Sequence, residues 1–251
     1  MLTACKKNET RVKDDDFTIP PVTNEPGSTQ SVTAANNRGD FDSLGQWHNQ
    51  GMNYVYKSMV QYGYSSLEKA SALTAAYAKI KLQSHLTDQQ LYNSLFPVVA
   101  DAPNRFEHII SRLTVSDASK TALQRIVNAV QDTVGLARSP YYQTLKNRFV
   151  QIELDIEKSS LPANEKNWLL QTSAIARYSL LYGITSTIDP VAPAVAFRIK
   201  NIIKIMAMSV QDVVSFAASA VGGGDVKDAV ASSIDGSAYA GTCIDYFVPL
   251  P

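Results

Sequence analysis

From residue 40 to residue 221 the large apolar residues return at intervals of three and four, and nearly every such run opens on a capping residue and closes on glycine or a polar break. That period places them on one face of a helix, and it is incompatible with the alternation a half-buried strand requires. Leu44, His48, Met52, Val55, Met59 and Tyr62 form the first stripe, closed by Gly63. Ser65 with Glu68 and Thr87 with Gln90 have the spacing of capping boxes, predicting helices over about 66–84 and 88–100. A short helix carries Phe106, Ile109, Ile110 and Leu113. Ser116 and Asp117 then open one that runs to Gly135. Ser139-Pro140 has the N-cap and first-turn order for a helix to about 158.

Further along, Trp168, Leu169, Thr172, Ile175, Ala176 and Leu180 predict a helix over about 163–182, stopped by Gly183. A long one over about 192–221 ends at Gly222-Gly223-Gly224. Strand signals are confined to the tail IDYFVPLP (244–251), where Pro249 permits only an edge. No repeat at 33, 34 or 40 residues marks a solenoid. The expectation is an all-α protein, a single irregular bundle of about seven to nine helices over residues 40–251.

Composition agrees with a globular domain: 251 residues, 45% hydrophobic and 18% charged. Twenty-three basic residues balance 23 acidic ones. With no clustered basic stripe, the electrostatic footprint of a nucleic-acid partner is missing. Cys5 and Cys243 are the two cysteines, too few for a disulfide scaffold or a CxxC zinc site. Residues 6–39 hold Pro20-Pro21, Pro26-Gly27, many Ser, Thr and Asn, and almost no large apolar side chain. Such a stretch cannot offset its ordering entropy by burial and is expected to be a disordered tether with a reach of roughly 30–35 Å.

Leu2-Thr3-Ala4-Cys5 resembles the lipobox of bacterial lipoproteins, an aliphatic residue and two small ones before the cysteine that is cleaved and lipidated. Only Met1 stands ahead of it, so the resemblance implies that residues 1–5 are the remnant of a longer signal peptide. It further implies Cys5 as the lipidation site, a membrane partner through that lipid, and the cell envelope of a Gram-negative bacterium as the location, at the outer membrane. Asp14-Asp15-Asp16 resembles the acidic stretch that sends some such lipoproteins to the outer face. Cys243 is then left as a small buried hydrophobe. Gly45-x-x-His48-Asn49, paired with Thr172-Ser173-Ala174-Ile175-Ala176-Arg177-Tyr178-Ser179, is similar to uncharacterised α-helical lipoproteins of Gram-negative bacteria, which often carry a Gly/Ala-rich C-terminal segment like 217–241 here.

The chain has no GxSxG, GxGxxG or P-loop, and Gly222-Gly223-Gly224 precedes Asp225 rather than Lys-Ser/Thr, so it reads as a C-cap and hinge. No catalytic residue, metal ligand or cofactor is assigned. Trp47, His48 and Asn49 form the densest polar-aromatic cluster and are the candidate ligand-binding residues. His48 also lies on the apolar stripe of its helix, which predicts a core histidine satisfied by a carbonyl or another side chain. Glu153, Asp155 and Glu157, beside Lys158, read as a solvated face. In residues 197–220, Lys200, Lys204, Gln211 and Ser215 predict a solvent edge opposite Ile202, Ile205, Met206, Val213 and Phe216. Arg198, Lys200, Lys204 and Asp212 weigh against a bilayer span there, so this is expected to be the central core helix, packed on 163–182. The expected function is a non-enzymatic binding or structural module with a protein or small-molecule partner. The alternatives are an envelope hydrolase and a membrane-active protein using the Gly/Ala-rich C-terminal region.

Overall fold

The structure, a computed structural model, describes residues 33–36, 41–63, 66–93, 106–132, 141–187 and 195–247. Among them every regular element is a helix. In chain order these are α1 (Asp42–Tyr62), α2 (Leu67–Tyr77), α3 (88–93), α4 (Phe106–Arg112), α5 (Asp117–Gln131), α6 (Tyr141–Lys158), α7 (Ala163–Thr187), α8 (Val195–Val221) and α9 (Val226–Phe247). A single π turn, Ala78–Leu82, continues α2. The all-α bundle expected from periodicity is what forms.

Helix ends follow from local chemistry. Gly63 closes α1 in the left-handed region (φ 63°), turning its N–H back to the Met59 and Val60 carbonyls. The α2 cap is Ser66, not Ser65, and its hydroxyl accepts from the Lys69 N–H. Thr87 and Gln90 make the reciprocal pair of a capping box, Thr87 N–H to Gln90 Oε1 at 2.9 Å and Gln90 N–H to Thr87 Oγ1 at 3.2 Å. Ser116 caps α5. Gly222 and Gly224 return their N–H groups to Ala218 and Ser219, and Gly223 takes φ 86°, so the triple glycine ends α8 and turns the chain into α9. The parts of the predicted helices at 94–100 and 133–140 lie outside the described residues.

Two expectations are corrected at the C-terminal end. Gly183 does not stop α7, which runs on to Thr187; a Cβ at Gly183 would lie 2.8 Å from Ile205 Cγ2, so the glycine lets α8 approach instead. The stretch after the triple glycine, expected to end in an extended tail, is the 22-residue α9, and residues 244–247 of that tail are helical.

The apolar interior has two lobes. Leu123, Ile126 and Val127 of α5, Leu145, Phe149 and Ile152 of α6 and Leu169 of α7 fill one, with Ile205 and Val213 of α8. Met52 and Val55 of α1, Leu73 and Tyr77 of α2, Phe216 of α8 and Val230 and Ile234 of α9 fill the other. Helices α7 and α8 run between the lobes and α9 lies along α8, so α8 is the core helix that the sequence predicted. At Gln211 and Ser215 its supposed solvent edge is instead buried against Gly236 of α9. The side chains of Ile202, Lys200, Lys204 and Cys243 lie outside the described residues. Among the described residues no helix is long and apolar enough to cross a membrane.

Candidate functional site: a buried polar spine

Polar side chains concentrate where α1, α7, α8 and α9 meet. His48 faces inward from α1 and has no solvent exposure. Its neighbour Asn49 donates from Nδ2 to the Tyr178 carbonyl at 2.9 Å. A carbonyl can only accept, so the Asn49 amide is oriented and its Oδ1 is left facing His48 Nδ1 at 3.0 Å. Nδ1 must then carry a proton. On the other side, Nε2 stands 3.3 Å from Asp212 Oδ1, an ion pair rather than an aligned hydrogen bond, and Asp212 is also fully buried. Both ring nitrogens face acceptors, which favours the protonated imidazole of His48. Burial alone pulls its pKa down, but the Asp212 charge close by and the Asn49 hydrogen bond outweigh it and hold the pKa above the ordinary value.

Asp212 uses its second oxygen to accept from the Ser179 hydroxyl, which also lies 2.9 Å from Ser209 Oγ. The order is therefore histidine, aspartate, serine. A hydrolytic triad needs the imidazole between the other two, where it can take the serine proton. Here the carboxylate takes the serine hydrogen bond, and all three side chains are closed off from solvent. The arrangement locks α1, α7 and α8 together.

A second cluster centres on Arg177, which is 2% exposed. Its Nε donates to Glu153 Oε1 at 2.9 Å, one terminal nitrogen to Asp42 Oδ1 at 3.0 Å, and the other to the Ala34 carbonyl. Ser173 donates to the same Glu153 oxygen. The reading of Glu153, Asp155 and Glu157 as a solvated face is thus corrected: Glu153 is buried opposite Arg177, while Asp155 pairs with Arg125 and Glu157 is exposed. A third polar residue, Asp235 of α9, is 1% exposed and accepts from the Ser71 hydroxyl of α2 at 3.0 Å. Burial pushes its pKa up to about 7, against the pull of the Ser71 and Thr74 hydroxyls.

Of the residues singled out in the sequence, Trp47 is partly buried against the α1/α2/α9 lobe and its carbonyl accepts from Tyr77. His48 and Asn49 belong to the spine, and Cys5 lies outside the described residues. His85 is exposed beyond the π turn and His108 sits on α4, and among the described residues no group of His, Cys, Asp or Glu side chains could hold a metal ion. An open groove of about 350 Å³ lies elsewhere, between Thr114-Val115, the first turns of α7 and the α8–α9 turn. Asn164, Asn167, Trp168 and Gln171 line it, and none of Trp47, His48 and Asn49 does. Sequence reasoning missed Asp212, Ser179 and Arg177 as a set. The available signal was a charged residue inside a strongly apolar helix, which demands a buried partner. Comparison of the chain with protein-family models, curated proteins and solved structures finds no match.

Proposed function

We propose that this chain is a cell-envelope lipoprotein of a Gram-negative bacterium, held at the outer membrane by lipid on Cys5, with its helical domain acting as a non-enzymatic binding or structural module. The observation that carries the anchor is Leu2-Thr3-Ala4-Cys5, followed by a long polar stretch. The non-enzymatic reading rests on His48, Asp212 and Ser179, whose reactive atoms are spent on one another in the interior rather than turned toward a substrate. The groove offers the carboxamides of Asn164, Asn167 and Gln171 beside Glu165, whose carboxylate is taken up by the Ser116 and Ser119 hydroxyls. Metabolic labelling with an alkynyl fatty acid, using the native gene in its own host, tests the anchor. Label on the wild-type chain and none on Cys5→Ala is expected; label that persists on Cys5→Ala overturns it.

A further inference from the structure

Residues 33–36, counted by composition with the tether, lie on the domain without regular secondary structure rather than beside it. Ala34 is 1% exposed and Asn36 9%. Three helices hold them. Lys146 of α6 donates to the Thr33 carbonyl at 2.8 Å, and Arg177 of α7 donates to the Ala34 carbonyl. The Asn36 N–H donates to Asp42 Oδ2 of α1 at 2.9 Å, and its side-chain amide to Glu153 Oε2 of α6. Cations meet the two successive carbonyls of Thr33 and Ala34, and carboxylates meet the N–H and the side-chain amide of Asn36, while the Ala35 N–H turns back to Thr33 Oγ1. Ala34 is packed into the lobe formed by α5, α6 and α7, and Asn36 reads the second Glu153 oxygen. Their charges balance, two positive and two negative, so what the slot selects is hydrogen-bonding pattern rather than net charge.

We propose that Asp42, Lys146, Glu153 and Arg177 form a binding slot for a short polypeptide segment, occupied in cis by residues 33–36 acting as a latch. The slot takes a small residue followed two positions later by asparagine. The ligand is ordinary main chain plus one carboxamide, so a segment of another polypeptide with that pattern competes for it whenever the latch lifts. This reading is independent of lipid on Cys5. A latch covalently joined to its slot sees an effective concentration in the millimolar range, which keeps the slot filled against dilute competitors.

The test is thiol accessibility in the full chain carrying Cys5→Ser and Ala34→Cys, with peptide mapping to separate position 34 from Cys243. The thiol introduced at position 34 should react at least about 30-fold more slowly than in a synthetic peptide of residues 29–38 bearing the same substitution, because labelling waits for the latch to lift. Asn36→Asp, which sets a carboxylate against Glu153, and Lys146→Ala should each raise the rate several-fold with the far-UV helix signal unchanged. Unlabelled wild-type peptide 29–38 should accelerate labelling by holding the slot once it opens, by about sixfold at 0.5 mM for the Kd near 0.1 mM that about 30-fold protection implies at an effective concentration of a few millimolar, and a scrambled peptide should not. Hydrogen exchange at residues 35–36 of the chain with alanine at 34 should show the same protection, which covers any disturbance from the introduced thiol. Free reactivity of that thiol together with fast exchange overturns the latch. Equal effects of matched and scrambled peptides overturn the slot as a peptide site.

Discussion

The imidazole of His48 on α1 and the carboxylate of Asp212 on α8 face each other across 3.3 Å with neither exposed to solvent. Two charges taken out of water gain stability only while each has the other, and removing one leaves the second stranded. His48→Ala should therefore cost about 3–5 kcal/mol in chemical denaturation, close to what Asp212→Ala costs. The double variant should cost clearly less than the sum, since the second substitution removes a charge already stranded. Strict additivity would show that the two side chains do not act as a pair.

The same pair sets a pH dependence. His48 titrates above its ordinary value in the fold, so its contribution is complete below about 6.5 and is lost as pH rises through the folded pKa. Asp235 is raised by burial to about 7, so the fold favours its protonated form and loses stability as pH climbs from about 4 to 7. Both effects run the same way. Asp155, held low by its hydrogen bond from Arg125, and Glu165, held low by Ser116, oppose them only as pH falls below the ordinary carboxylate range. Thermal melts should thus rise from about pH 8 to pH 5 and fall again below about pH 4. Asp235→Asn should flatten the upper limb, and a melting temperature that climbs from pH 5 to 8 would contradict the assignment of both groups.

The helices were legible because most of them are amphipathic, with a face to bury and caps to stop them. What escaped notice has a common physical cause. Helix α9 is surrounded by α1, α2 and α8, so it lacks the polar face that gives a period; its Ser, Gly and Ala residues serve close packing and resemble a loop when read along the chain. Gly183 reads as a stop but is a contact with Ile205. The spine was half legible. The segments Gly45–Asn49 and Thr172–Ser179 do meet, through Asn49 to the Tyr178 carbonyl, but Asp212 joins them only by tertiary placement that no local pattern encodes.

Gly45 allows that meeting. A Cβ there would fall 2.2 Å from Tyr178 Cδ2 and 2.8 Å from its Cβ, at the rigid base of the ring. Helix propensity favours alanine over glycine by about 1 kcal/mol in an exposed position. At Gly45 the clash should reverse that preference, and Gly45→Ala should destabilise the fold by about 2 kcal/mol or more. Gly51→Ala should do less harm, because its nearest neighbour at 2.3 Å is the flexible end of Ile234. Gly63→Ala meets open space and should lose only about 1 kcal/mol, from the left-handed backbone. Differential scanning fluorimetry of the three variants should return that order, and a stabilised Gly45→Ala would mean that α1 and α7 do not approach as closely as described.

Arg177 and Arg125 each pair with a carboxylate, and the two should respond oppositely to lysine. Arg125 reaches Asp155 at 2.6 Å on an open surface, where water and salt replace whatever is lost. Arg125→Lys should leave the melting temperature unchanged within error. Arg177 spreads three donors over Glu153, Asp42 and the Ala34 carbonyl in a buried site, and its guanidinium lies 5.9 Å from the Tyr178 ring centre. A lysine ammonium is a point charge on a flexible stem and cannot serve three acceptors lying in different directions along the guanidinium plane. Arg177→Lys keeps the charge yet should destabilise the fold by about 2–4 kcal/mol, because at least one buried acceptor is left without a donor. Raising the salt concentration should move the Arg125 pair and barely touch the Arg177 cluster, since screening needs access to solvent. If Arg177→Lys melts with the wild type, charge alone suffices at this site, and the directional bonding attributed to the guanidinium carries no stability.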